Sequence, residues 1–223
     1  MREFEGRDAA HTLDRINILL DLQLVNMRKQ ATDYAVWNTT YDFMDSADPE
    51  YVKENYSEAI FENLDIDSAF LIRPDGRIAM ALFRADQLVP GATGMRYIAN
   101  AKAMPLSEQI ARKTAGYQEP KIGSILSVDG KQYIFGVSDI LTNDGAGPSR
   151  GKVVFIRKLN KKRMDYLKML AQEDFILKTD QIEDRIAIGD ERVVSVKTML
   201  DTAGRPVADI IVDQPRPLKQ LVT

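Results

Sequence analysis

"IDSAFLIRPDGRIAMALF", residues 66–83, decides the fold. Two apolar runs flank Pro74-Asp75-Gly76. Proline presets the turn backbone and glycine supplies conformations that other residues avoid. The stretch reads as two antiparallel strands around a tight turn. Before residue 66 the pattern is helical, and at this stretch the period changes to that of strands.

Upstream, Leu13, Ile16, Leu20, Leu24, Met27 and Ala31 recur at three- and four-residue steps. Residues 8–44 therefore form one long helix or two end-to-end helices. Ile18, Leu22 and Val25 add a second apolar stripe. One stripe covers the protein's own core. The second calls for another partner, most simply a second copy of the helix in parallel, unless both stripes pack into one large core. "SADPEYVKENYSEAIFENL" (46–64) starts a further helix, with Ser46 or Asp48 as cap and Pro49 in the first turn.

Downstream, residues 87–117 are irregular and helical, with "SEQIARKTA" a short helix. "IGSILSVDGKQYIFGVSDIL" (122–141) is a hairpin about Asp129-Gly130, the favoured two-residue turn. A loop, "TNDGAGPSRG", leads to the strand "KVVFIRKL" and the helix "NKKRMDYLKMLAQ". "DFILK", "ERVVSVKTML" and "RPVADIIVD" are final strands, with a turn at Asp201–Gly204. The expected class is α+β: an antiparallel five-stranded sheet with helices on one face, a long N-terminal helix and a smaller strand-rich lobe at the end. The expected divisions are 1–45 (helical stalk), 46–172 (main lobe) and 173–223 (small lobe).

Composition excludes several function classes. The 223 residues are 44% hydrophobic, enough for one substantial core. Net charge is −3, and "RKLNKKR" (157–163) is the densest basic run, too short for a nucleic-acid footprint. There is no cysteine and one histidine, His11. That removes disulfides, thiol catalysis and cysteine metal sites, and leaves serine–histidine chemistry without a nucleophile elbow. "NLDID" (63–67) lacks the spaced oxygens of a calcium loop. The glycine loop "DGAGPSRGK" lacks the Gly-Lys-Ser/Thr ending of a phosphate cradle. No catalytic residue, metal site or cofactor is expected. No apolar run approaches the ~20 residues that span a bilayer, and "MREFEGRDAAHTLD" has no apolar leader segment. The chain reads as a soluble segment.

Four motifs in order carry a resemblance: "DYAVWNTTYDFM" (33–44), "DPEYVKENY…FENLDIDSAFLIRPDGRI" (48–78), "DGAGPSRGKVVFIRKLN" (144–160) and "LDTAGRPVADIIVDQPRPL" (200–218). Together they resemble the fourth class of CHASE-type extracytoplasmic sensor domains of bacterial or archaeal membrane signalling proteins, over roughly residues 20–218. The resemblance implies a PAS-like fold of the Cache type. It implies a periplasmic position between two transmembrane helices outside these 223 residues, with the small lobe next to the membrane. It also implies a cytoplasmic output module, such as a cyclic-di-GMP enzyme or a histidine kinase. Family members usually carry Asp after the tryptophan; here Asn38 follows Trp37, which removes a carboxylate.

The functional expectation is a small-molecule sensor that works as a homodimer through its N-terminal helix. The alternatives are a dimerisation and transmission module that binds nothing small, and a soluble enzyme with a carboxylate site. The expected pocket lies between the sheet and the 87–117 connection. Its walls draw on Phe70, Met80, Tyr133 and Phe135. Trp37, Asn38 and Tyr41 form an aromatic face with polar edges, suited equally to core packing and to ligand contact. Arg157 shares a strand face with Phe155 and Val153. A cation on an apolar stripe needs a partner: either an acid such as Asp42 or the carboxylate of an organic-acid or amino-acid ligand.

Overall fold

The computed structural model describes residues 2–88, 91–97, 105–179 and 184–216. The first helix, α1 (Arg2–Ala35), runs much further toward the N-terminus than its strongest periodicity. It ends where Val36 makes a bridge to Leu141 and Trp37 turns extended, at φ −131°. The next helix, α2 (Asn38–Ser46), stops at Ala47 in the left-handed region. The expected helix over 46–64 is two helices. In α3 (Pro49–Asn55), the Asp48 carboxylate accepts the Glu50 N–H at 3.0 Å, as the capping pattern requires. The Asn55 side chain then donates to the Tyr51 carbonyl and ends the helix, and α4 (Glu58–Leu64) begins after Ser57. Asparagine and serine favour caps over helix interiors.

Residues Leu24–Lys158 form one compact unit. Its strands are β1 (Ser68–Ile72), β2 (Ile78–Arg84), β3 (Met95–Tyr97), β4 (Lys121–Val128), β5 (Lys131–Asp139) and β6 (Lys152–Lys158), all antiparallel in the order β3-β2-β1-β6-β5-β4. A four-residue helix, α5 (Ala85–Leu88), and α6 (Pro105–Ala115) lie between β2 and β4. Five of the strands are those expected; the three-residue β3 extends the sheet beyond β2. The β4–β5 turn has positive φ at both Asp129 and Gly130, the backbone that matches strand twist.

One sheet face carries Phe70, Phe83, Phe135, Leu126, Val154 and Ile156 against Ile110 of α6. The other face meets α1. A Cβ on Gly123 or Gly136 would collide with the helix backbone at Leu24 and Met27, so only glycine lets α1 lie this close to β4 and β5. Leu24, Met27, Ala31 and Ala35 are fully buried there.

Residues Met1–Gln23 and Leu159–Thr223 form the second unit. It contains the start of α1, α7 (Lys161–Ala171), and a sheet of β7 (Ile176–Lys178), β8 (Arg185–Ile188), β9 (Arg192–Leu200) and β10 (Pro206–Pro215) in the order β7-β10-β9-β8. The strand β8 is additional to the sequence reading. Within this unit Glu5 holds Arg216 in a two-pronged pair (2.7 and 3.0 Å), and Asp14 holds Lys197 at 2.6 Å.

Candidate functional site

The end of the main sheet where β1, β5 and β6 come together forms a cleft of about 170 Å³. Phe83, Leu88, Leu106 and Val128 supply its apolar wall. Asp67, Asp129, Lys131 and Lys158 supply its charges, with Ser68, Gln87 and Tyr133 as neutral polar groups.

Local chemistry fixes each of these. Asp67 sits just before β1 and is buried; its carboxylate accepts the Lys158 backbone N–H at 2.7 Å. Its own N–H donates to Ile156, so the carboxylate is anchored to the sheet centre. Lys131 follows the β4–β5 turn and pairs with Val128, and Tyr133 pairs with Leu126. Burial, and then the charges of Asp129 and Asp67, hold the Tyr133 phenol above its usual pKa. It therefore stays a neutral donor across the physiological range. Two acids and two cations around a half-buried phenol can hold both ends of a small zwitterion, while the apolar wall takes an aliphatic part.

Of the eight residues singled out from the sequence, Tyr133 lines this cleft. Phe70 and Phe135 lie in the core beneath α6, fully buried, and Phe70 meets Phe83 edge-on at 5.4 Å. Met80 pairs with Leu71 and faces the opposite side from Phe70, because the register slips between Leu71 and Ile72. Part of the expected pocket wall, residues 89–90 and 98–104, lies outside the described residues.

Arg157 also lies on the opposite face from α6, with Phe155 and Val153. Its guanidinium donates to the carbonyls of Asp65 (2.7 Å) and Leu64 (3.0 Å) and pairs with the Asp65 carboxylate at 3.1 Å. Its acid partner is thus Asp65 rather than Asp42. Asp42 lies 3.6 Å from Arg150, which pairs more closely with Asp45 at 2.9 Å.

Trp37, Asn38 and Tyr41 gather at the α1–α2 corner, away from the cleft. The Trp37 ring lies tilted against Tyr34, 4.7 Å between centroids. Asn38 and Asn143 exchange backbone-to-side-chain hydrogen bonds at 2.7 and 2.9 Å. Tyr41 donates to the Pro148 carbonyl and lies under the Arg150 guanidinium at 3.8 Å. Asn38 and Tyr41 tie down the β5–β6 loop, while Trp37 packs on α1.

Sequence reasoning passed over Asp67, Lys131 and Lys158. Asp67 falls in "NLDID", noticed only as a metal candidate; among the described residues no cluster could hold a metal ion. A larger cleft of about 270 Å³ lies near Arg73, Asp139 and Lys152. There Lys152 pairs with Asp139 at 2.5 Å and Arg73 donates to the Met44 carbonyl.

Similar folds occur among solved sensor domains. The periplasmic domain of Vibrio cholerae LuxQ is 13% identical, with a TM-score of 0.58 over 93% of this chain and 100% of that one. The sensor domain of the V. cholerae histidine kinase DctB is 12% identical, with a TM-score of 0.54 over 94% and 96%. The ligand-binding domain of the Campylobacter jejuni chemoreceptor Tlp3, solved with L-valine, is 11% identical, with a TM-score of 0.53 over 98% and 96%. No curated protein matches the chain. The CHASE4 domain model matches residues 19–178, which include the whole main sheet and the cleft, and the chain belongs to the CHASE4 domain family.

Proposed function

We propose that this chain is the extracytoplasmic ligand-sensing domain of a transmembrane signalling receptor, and that the cleft beside Asp67 and Tyr133 takes a small ligand bearing a carboxylate and an ammonium. The observation that carries this reading is the balanced charge of a small cleft. Lys131 and Lys158 suit a carboxylate, Asp67 and Asp129 suit an ammonium, and Tyr133 adds a neutral donor. Charged hydrogen bonds contribute about 1.5–3 kcal/mol each. At about 170 Å³ the cleft lies below the ~300–1,000 Å³ of drug-sized sites, so the ligand has few heavy atoms. The L-valine complex of a similarly folded chemoreceptor supports the same ligand class.

Ile18 and Leu22 are 61% and 58% exposed on α1, which favours a parallel homodimer through that stripe. The Glu5–Arg216 pair brings the start of α1 and the end of β10 together, which supports a small lobe next to the membrane with both flanking segments leaving side by side. Output then lies in a cytoplasmic module, and the domain itself catalyses nothing.

A thermal-shift screen of L-amino acids and small organic acids tests the cleft. A ligand at a hundred times its Kd stabilises by about 2.7 kcal/mol, which raises Tm by roughly 5–10 °C at this chain length. Lys131→Ala and Tyr133→Phe should keep the parent Tm and lose that rise. A screen that never moves the parent Tm would favour the transmission module that binds nothing small.

A further inference from the structure

All nine large apolar side chains that stand exposed among the described residues lie in the smaller unit. Three of them share α7: Tyr166 (57% exposed), Met169 (61%) and Leu170 (45%). Their spacing, i, i+3 and i+4, makes one stripe. Leu167 and Ala171 make another, roughly a third of a turn round the helix, and that one is buried in the unit's own core. The helix therefore has two apolar faces and buries one.

On the helix wheel Lys162 falls within the exposed stripe and Arg163 at its edge, while Lys161 and Lys168 stand about a third of a turn or more away. Lys161, Lys162, Arg163 and Lys168 stand on α7 against a single carboxylate, Asp165, in a chain whose net charge is −3. Lys161 pairs with Asp165 and Lys168 with Asp174, both at the surface. Such pairs are weak and exchange readily for other anions, and the excess stays positive. A second copy laid on this face would set like charges against each other. A sheet of anionic headgroups complements them, and an amphipathic helix with an apolar stripe bordered by cations is the form that lies in a membrane interface.

We propose that α7 rests on an anionic lipid surface, with Tyr166, Met169 and Leu170 at the headgroup boundary and the neighbouring cations on lipid phosphates. The proposal rests on the reading of the chain as a membrane-tethered extracytoplasmic domain, but not on the ligand cleft. Docked this way, α7 would link the small lobe to the bilayer independently of any spanning helix.

The chain has no cysteine, so Met169→Cys carries one environment-sensitive dye. It is titrated with vesicles of equal parts phosphatidylglycerol and phosphatidylethanolamine, and with pure phosphatidylcholine. A saturable blue shift is expected on the anionic vesicles only, weakening as salt rises. Lys161→Glu with Lys162→Glu should weaken binding at least about tenfold. The same dye on Ser127→Cys, in the main lobe, should not shift. A shift that grows with protein concentration alone would overturn the proposal in favour of self-association, and equal binding to both vesicle types would overturn the role of the cations. No shift at all would overturn it outright. Ligand-induced stabilisation, read separately, is untouched by any of these results. Should the double charge reversal fail to fold, the salt dependence of the singly labelled parent still decides.

Discussion

Arg157→Ala isolates a structural cation from a ligand-binding one. The side chain is buried and makes two hydrogen bonds at the end of α4, to the carbonyls of the capping Asp65 (2.7 Å) and the last helical residue Leu64 (3.0 Å). A charged hydrogen bond contributes about 1.5–3 kcal/mol, and the lower figure applies because the cation itself is costly to bury. Two such bonds give about 3 kcal/mol. The Asp65 carboxylate is 57% exposed, so the ion pair adds under about 1 kcal/mol. At roughly 2–4 °C per kcal/mol for a chain of this length, Arg157→Ala should lower Tm by about 6–12 °C. Asp65→Asn should cost little, because it keeps both carbonyls and asparagine tolerates the left-handed conformation that Asp65 adopts at φ 52°. Urea unfolding monitored by circular dichroism, with and without a ligand found by screening, measures both. A loss of less than about 1 kcal/mol in Arg157→Ala would refute the capping account. Equal losses in the two variants would show that the exposed ion pair carries the energy. A full-sized fall in Tm with ligand stabilisation retained would confirm that Arg157 serves the fold rather than the ligand.

Gly136→Ala should destabilise by about 1–3 kcal/mol, because its Cβ meets the α1 backbone at Met27; combined with Gly123→Ala the loss should be less than additive, since both push the same helix away. Arg216→Met should lower hydrogen-exchange protection at the start of α1 and in β10 while leaving β1, β5 and β6 protected, and uniform loss would contradict a lobe-specific clamp. Burial, followed by the influence of Tyr51, holds the Tyr56 phenol well above its ordinary 10.0, and burial likewise raises Tyr51 and Tyr34. The unfolded chain therefore loses these protons first, so stability is intact below about pH 10 and falls above it. Tyr56→Phe should flatten that fall in urea midpoints measured through the alkaline range, and an unchanged slope would refute the assignment.

The sequence by itself determined what a few neighbouring residues decide. Asp48 and Pro49 mark the start of α3, Asp129-Gly130 closes its hairpin, and Asp201–Gly204 turns between β9 and β10, because capping and turn chemistry act over three or four residues. The buried stripe of α1 was equally legible, since one helix face recurs at a fixed period. Which residues meet the candidate cleft was not. In the β1–β2 hairpin, Ile72 pairs with Ile78, and that spacing continued along the strands would set Phe70 opposite Met80. The register slip between Leu71 and Ile72 instead turns Met80 to the other face, because side chains alternate and a one-residue slip reverses them. Arg157 was correctly read as a cation needing a partner, yet the partner came from the end of α4, some ninety residues earlier. Asp67 and Lys158 became neighbours only when β1 and β6 paired across the centre of the sheet. Local rules name the elements; long-range strand pairing decides which faces, charges and cleft they share.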